Sequence, residues 1–482
     1  MQTVDVLVVG AGLAGLSTAR LLAQRGLNVM VVDRRRSLSA GVRTTGIFVR
    51  RTLDDFDLPG HLLGPGVRDV LLYPPSRRSP IRLTSDRDEF RVADMAAVYE
   101  HARRAAESAG ARVLLGVRYT GISSGLARLE HTSGADGGKD VLTSETGKGV
   151  NGGMRPRHGR SGEGAEGGEG APTPDVREGP EGWRGGESAG VLKAAESAKD
   201  GEGVGGAKGG ESAKGGEGGG GVKGGESAEG VERVGGVEVV GVRFVVGADG
   251  ARSRVARDLG LDVNRRFLVG AEIVHAVAPG SGFPAFHCVL DPRVAPGYLG
   301  WVVDDGRHAH VGVAGEPGAM RAGVRRLLDA FAADAPGRAA PAGPVERRGG
   351  PIPVGGVLRR LACPDGLLVG DAAGAVSPLT AGGLDPCLRM SELAAAVIAD
   401  YLRTGDREVL KRYDGAALRA RFRGRLLLRR LLAGIRSPVL AEAAVAVLRT
   451  RAGRALAARI LFGDGSFPEI EPRLAAGVGR GR

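Results

Sequence analysis

Residues 4–9, Val4-Asp5-Val6-Leu7-Val8-Val9, make a short and nearly continuous apolar run. That is the pattern of a strand buried on both faces of a parallel sheet. Gly10-Ala11-Gly12-Leu13-Ala14-Gly15 follows at once, and Leu16, Ala19, Leu22 and Ala23 then recur at helical spacing up to Gly26. A second apolar strand, Val29-Met30-Val31-Val32, ends in Asp33. Farther along, Leu367-Leu368-Val369 reads as another buried strand, with Asp371 just beyond its end. Between them lie four strand-like stretches: Phe267 to Val277, Phe286 to Leu290, Tyr298 to Val303 and His308 to Val313. Residues 387–402 predict a helix, with Asp385 as its cap and Pro386 in its first turn. Residues 405–462 predict further helices, rich in Arg and Leu.

The first of these patterns carries chemistry. Gly10 permits a tight turn out of the strand, and Gly12, without a Cβ, lets a pyrophosphate approach the backbone. Gly15 lets the helix pack close to the sheet, and the helix start at Leu13 and Ala14 offers free N–H groups to phosphates. Asp33 falls 18 residues after Gly15, placed to accept hydrogen bonds from ribose hydroxyls, and Arg34 beside it joins the candidate site. A lone glycine motif is weak, but strand, turn, helix, strand and acid in register predict dinucleotide binding.

Composition divides the chain in two. Residues 131–236 hold 35 of the 83 glycines, seven of the eight lysines and a single aromatic residue, Trp183. Gly186-Glu187-Ser188-Ala189 recurs loosely at 210–213 and 225–228, with no fixed period and no apolar stacking face. So few large apolar side chains cannot offset the entropy of ordering, so this insert is predicted to be a disordered loop between two strands. The glycines lack the strict three-residue period of collagen. Three cysteines make no disulfide framework and suit a reducing compartment. No apolar run reaches membrane-spanning length, and the N-terminus lacks the basic start of a signal peptide.

Two later segments sharpen the ligand. One is Val245-Val246-Gly247-Ala248-Asp249-Gly250-Ala251-Arg252-Ser253, and the other runs from Gly366 through Gly370-Asp371-Ala372-Ala373 and Pro378 to Gly382-Gly383-Leu384. With the start of the chain, these resemble the para-hydroxybenzoate-hydroxylase-like FAD superfamily, nearest its geranylgeranyl reductases. The resemblance implies an α/β fold: a Rossmann-like FAD-binding domain, a β-sheet substrate region and a C-terminal helical segment. It implies roles for Asp249 and Gly250 near the cofactor, and for Gly370 and Asp371 at its ribityl or ribose region. Pro378, Gly382, Gly383 and Leu384 fall in the stretch that passes the isoalloxazine, and Arg43 in a segment near the flavin. The helix that follows would point its positive end at reduced flavin.

Several features depart from the family. An arginine often found near residues 91–98 is Asp94 here, and residues 34–60 lack the cysteine that many of the reductases carry. Tyr298-Leu299-Gly300-Trp301 matches a Tyr/Trp signature of those reductases, but Val303-Asp304 replaces its following Phe-Pro. Cys387 reads as a small apolar helix residue. His308 and His310 share a strand face, but two ligands without a third make a weak metal site, so no metal is predicted.

The resulting expectation is an FAD-dependent oxidoreductase acting on a lipophilic small molecule by C=C reduction, with NAD(P)H or another reductant as donor. A single-component monooxygenase using NAD(P)H and oxygen is the alternative, and a non-catalytic flavin-binding redox sensor a second. The FAD-binding domain is expected from residues 1–130, 237–262 and 350–403, the sheet region from 263–349 and basic helices from 404–482. Charge follows the same division: the insert is net −5 and the rest net +17, of which 405–482 supply +10. The basic region lacks interleaved aromatics, which argues against nucleic acid. It suits either solvated arginines around a packed core or peripheral contact with an anionic membrane, in an otherwise cytoplasmic protein.

Overall fold

The structure, a computed structural model, describes residues 2–132, 233–234, 237–278, 284–320, 323–337 and 345–462. These lie in one compact unit; a second, residues 147–227 and 471–482, falls outside the described residues. The predicted disorder of the insert falls almost wholly outside them too.

The apolar run at the N-terminus forms the strand Thr3–Val9, paired in parallel with Val29–Asp33 on one side and Val237–Gly247 on the other. Arg112–Leu115 and Gly366–Leu368 extend the parallel sheet at its two ends. Val6, Leu7, Val8, Val29, Met30 and Val31 are fully buried. Each such side chain contributes about 1.5–3 kcal/mol by leaving water. Helices Leu13–Ala23, Met95–Ser108 and Leu384–Thr404 pack together on this sheet. Strands Val117–Ser123 and Leu126–His131 form an antiparallel pair, and the second also pairs with Val237–Gly247. Glu130 lies opposite Val237, so the ends of the insert meet across one antiparallel ladder.

The four strands expected in 264–314 appear as Phe267–Ala276, Ala285–Val289, Gly300–Asp304 and His308–Gly315. They join a seven-stranded sheet completed by Val345–Pro353 and by Asp69–Tyr73 and Ile81–Thr84, both from within residues 1–130. Period-two alternation gives this sheet two faces. Ala271, Ile273, Val311 and Val313 pack on helix Val324–Ala333 through Leu328 and Phe331. Leu268, Glu272, His310, Ala314, Arg348 and Ile352 occupy the other face by register.

Three more helices follow: Ala416–Ala433, Pro438–Leu448 and Arg451–Leu461. Among the described residues, no helix is long and apolar enough to cross a membrane.

Candidate cofactor site and the facing sheet

The glycine turn has the stereochemistry its sequence predicts. Gly10 has φ +109°, a conformation that disfavours any Cβ, and one placed there would strike the carbonyl of Ala248. A Cβ on Gly15 would strike the Gly10 carbonyl, so this glycine sets the close approach of helix to strand. A Cβ on Gly12 would meet no atom within 4 Å. Gly12 is thus the open side of the turn, and no side chain caps the helix that starts at Leu13. Its first N–H groups are left for a ligand.

Asp33, at the end of its strand, is buried. Its Oδ2 accepts from the Ala11 N–H (2.8 Å) and from Arg35 Nη2 (3.0 Å), and its Oδ1 from the Arg35 N–H (2.8 Å) and Nε (3.1 Å). Burial alone would raise its pKa, but the Arg35 guanidinium and the two N–H groups outweigh burial and hold it below the usual carboxylate value. The neighbour that engages Asp33 is therefore Arg35, not Arg34, which lies exposed to solvent. Arg35 also donates to the Ala11 carbonyl (3.1 Å) and sits 5.8 Å over the Tyr99 ring. A ribose hydroxyl donating to Asp33 must displace one of these bonds. The signal for Arg35 was its spacing: in extended chain the residue two along returns to the same face.

The third motif converges on the first. Gly370 has φ +58°, and a Cβ there would lie 2.8 Å from that of Ala14 and 3.9 Å from that of Cys387. Ser391, one turn along the helix from Cys387, donates to the Ala14 carbonyl (3.1 Å). Asp371 is solvent-accessible, whereas Gly370, Ala372 and Ala373 around it are buried. The protein packed around it disfavours its charged form and pushes its pKa up to about 6. Among the described residues its carboxylate has no hydrogen-bond partner, and a Cβ on Gly383 would sit 3.4 Å from its Oδ1.

Pro378 is buried, and Ser377–Gly382 closes as a tight loop: Ser377 N donates to the Gly382 carbonyl (2.9 Å), and Ala381 N to the Ser377 carbonyl (2.9 Å). Ala381 is held at φ +55°, a costly conformation for a residue with a Cβ. The following helix runs Leu384–Thr404, capped by the backbone of Gly383 rather than by Asp385. Asp385 lies inside the first turn, where it accepts from Thr52 Oγ1 (3.0 Å), Arg389 Nε (3.0 Å) and Arg421 (3.2 Å). The local Asp-Pro signature did not register these distant cations.

The second motif behaves differently. Gly250 has φ +86° and open space beside it. Asp249 turns inward, and its Oδ2 accepts from the N–H groups of Arg254 (2.6 Å) and Val255 (3.2 Å) at the start of helix Arg254–Asp258. Arg43 is exposed, with its Cδ 3.6 Å from the Cβ position of Gly350 on the seven-stranded sheet. Asp94 caps helix Met95–Ser108 through Ala96 and Ala97 N–H, where the family's arginine was absent.

The sheet face opposite the loop is graded. Leu268 and Ala314, with Tyr298, Trp301 and Ile352, pack against Ala381. The Trp301 ring covers Gly312, where a Cβ would collide with the indole, and its buried Nε1–H has no acceptor among the described residues. Farther along the same face, His310 is buried between two carboxylates: Nδ1 lies 3.2 Å from Glu272 Oε1 and Nε2 lies 3.2 Å from Asp305 Oδ2. Burial opposes its charge, but the two anions outweigh burial and raise its pKa to about 9. Asp305 is lowered to about 2 against its own burial, chiefly by His310. Thr45 also bonds Glu272, tying the Arg43 segment to this sheet. A doubly protonated imidazole has no lone pair for a metal, and no group of three or more metal-ligating side chains occurs among the described residues. The sequence paired His310 with His308, but its true partners are acids 38 and 5 residues away.

Residues 3–60 match a family model described as an FAD binding domain. The chain is 33% identical over 184 residues to digeranylgeranylglycerophospholipid reductase 1 of Methanopyrus kandleri, covering 37% of this chain and 49% of that one. It is 36% identical over 184 residues to the corresponding reductase of Methanoculleus marisnigri, covering 35% and 44%. These matches span about half the length of the curated relatives. In fold, the chain is similar to a geranylgeranyl bacteriochlorophyll reductase-like protein of Thermoplasma acidophilum, with TM-score 0.64, 19% identity and 93% and 91% of the two chains covered. It is also similar to p-nitrophenol 4-monooxygenase of Pseudomonas putida, with TM-score 0.52, 16% identity and 94% and 92% covered.

Residues 3–60, with the turn at Gly10–Gly15, therefore belong to an FAD-binding domain, and the fold is similar to those of FAD-dependent reductase-like and monooxygenase proteins. The similarity in sequence is to digeranylgeranylglycerophospholipid reductases, in line with the resemblance the motifs imply. The residues fit the cofactor. Gly12 leaves its approach open, the helix start supplies donors, and Asp371 supplies an acceptor without a partner.

Proposed function

We propose that this protein is an FAD-dependent oxidoreductase that reduces a C=C bond of a lipophilic small molecule. One observation carries the reading: the Ser377–Gly382 loop, a few residues beyond Asp371, packs through Ala381 on an apolar cluster that includes Leu268 and Ala314. When bound, FAD supplies the two-electron chemistry, with electrons drawn from NAD(P)H or another reductant. The protein's part is placement. The Gly10–Gly15 turn and helix N–H groups hold the pyrophosphate, and Asp33 the ribose, after Arg35 yields a bond. Asp371, its pKa raised to about 6, would accept from a hydroxyl of the cofactor. The apolar face keeps water from the reacting bond. The similarity to digeranylgeranylglycerophospholipid reductases supports a polyprenyl substrate.

The likeness in fold to a monooxygenase keeps a second reading, hydroxylation with NAD(P)H and oxygen. Anaerobic reduction of the FAD-loaded protein, followed by addition of a polyprenyl lipid, separates them. Reoxidation by the lipid without oxygen, with loss of one double bond in the product, is expected. Reoxidation by oxygen alone, with substrate-stimulated NAD(P)H oxidation, sinks the reductase reading. A protein that reoxidises with neither is a sensor, and one that cannot hold FAD overturns both enzymatic readings.

A further inference from the structure

We propose that the outer face of the C-terminal helices docks on the surface of an anionic phospholipid bilayer. Eight large apolar side chains are exposed among the described residues, and six of them lie between Leu427 and Leu456. Such clustering is unusual, because exposed apolar residues are normally scattered. Helix Pro438–Leu448 concentrates it. Its inner face buries Ala441 and Val445, the latter against Ile81 and Leu83. Its outer face presents Val439 (77% exposed), Leu440 (54%) and Val447 (65%). Its one charge, Glu442, turns inward to accept from the Ser76 N–H (2.7 Å). A helix that is apolar all round belongs in an apolar environment, yet here one side faces solvent.

The preceding helix, Ala416–Ala433, continues the surface. Arg423, Leu427, Arg430 and Leu431 share its outer stripe, with Leu427 59% and Leu431 62% exposed. Arg436, Arg451 and Arg454 are exposed nearby in sequence. Residues 416–462 hold eleven arginines and one acid, the inward-turned Glu442. These helices interleave an apolar strip with cations, Arg436 lying beside Glu316 (4.0 Å), and present no outward acid of their own, which matches a layer of acyl chains beneath anionic headgroups. A second copy of this chain would have to place like charges against each other. The inner side of Ala416–Ala433 reaches the site: Arg425 donates to Ser377 Oγ (3.0 Å), and buried Arg429 donates to the Gly297 carbonyl (2.6 Å) and covers Tyr298. One helix thus joins the docking face to the Ser377–Gly382 loop. Delivery of a lipophilic substrate along it rests on the function proposed above, but docking itself does not.

Flotation of the full chain with vesicles containing phosphatidylglycerol tests the proposal without reference to turnover. The wild type should float with these vesicles, and about tenfold less with phosphatidylcholine alone or in high salt. The double variant Leu440→Glu/Val447→Glu should lose about tenfold in binding while keeping its thermal midpoint and FAD content. If that variant misfolds, Arg451→Gln/Arg454→Gln serves instead, with a smaller loss confined to anionic vesicles. Wild type that stays unbound at every lipid concentration, or variants that float as well as it does, reject the bilayer. Light scattering that shows a dimer broken by these substitutions, with no flotation, assigns the face to a second copy and rejects it equally.

Discussion

The parallel sheet and the seven-stranded sheet prepare a ligand site by opposite means. At the end of the parallel sheet, recognition is built from backbone: an open Gly12, free helix N–H groups, and a turn in which Gly10 and Gly15 touch because neither carries a Cβ. On the seven-stranded sheet the arrangement is built instead from side chains brought together across strands, with His310 clamped by Glu272 and Asp305 and Trp301 laid over Gly312. The first kind of site is fixed by a few consecutive residues and tolerates little change. The second depends on register between strands far apart in sequence, so each part can drift while its partners compensate. A single fold can then keep one cofactor and alter its substrate.

The largest expected effect breaks the second region. His310→Ala removes the imidazolium buried between Glu272 and Asp305, leaving Glu272 only Arg348 as a cation across the strands and Asp305 only the His308 ring and backbone N–H groups, and the loss of stability should be about 3 kcal/mol in thermal unfolding near neutral pH. The pH dependence has a definite sign. The folded-state pKa of about 9 exceeds the ordinary imidazole value of 6.5, so the histidine's contribution is complete below about 6.5 and is lost as pH rises through 9. A wild-type stability curve flat from pH 7 to 10, or one unchanged by the substitution, contradicts this cluster.

The next effect compares two glycines within the first region. Gly15→Ala drives a methyl into the Gly10 carbonyl and should cost about 1–3 kcal/mol, along with retained flavin. Gly12→Ala meets no protein atom, so the FAD-free protein should change by under about 1 kcal/mol while its FAD affinity falls. Calorimetry with and without FAD distinguishes them, and equal behaviour of the two variants would remove Gly12 from the pyrophosphate path.

The smallest effect lies at Asp371. Its pKa of about 6 in the free protein means that ionisation at higher pH strengthens it as an acceptor. FAD affinity should rise by severalfold between about pH 5 and 7, and Asp371→Asn should flatten that rise. Fluorescence titration of FAD measures both, and an identical slope in the variant assigns the pH dependence elsewhere.

This contrast also explains what could be read in advance. The strand, turn and helix around Gly10–Gly15 and the helix after Gly383 depend on neighbours in sequence, and were legible. The strands of 267–315 were legible as strands because alternation is local. Their joining with 69–84 was not, because pairing partners leave no mark on a single strand. The same limit hid Arg35 as the partner of Asp33, gave Asp385 the wrong job, and left unread the cap that Asp249 Oδ2 supplies to a helix. In each case a long-range or side-chain partner decided the matter.

The ladder that sets Glu130 opposite Val237 has a consequence for the chain as a polymer. Its two strands are held by the sheet on both sides of the insertion point, so the connection between them need only be long enough to turn. Shortening that connection to a hairpin loop would reduce closure entropy slightly rather than remove support. The protein is therefore a natural candidate for splitting: two polypeptides, ending near 131 and beginning near 237, have the geometry to reassemble into one flavin-binding body.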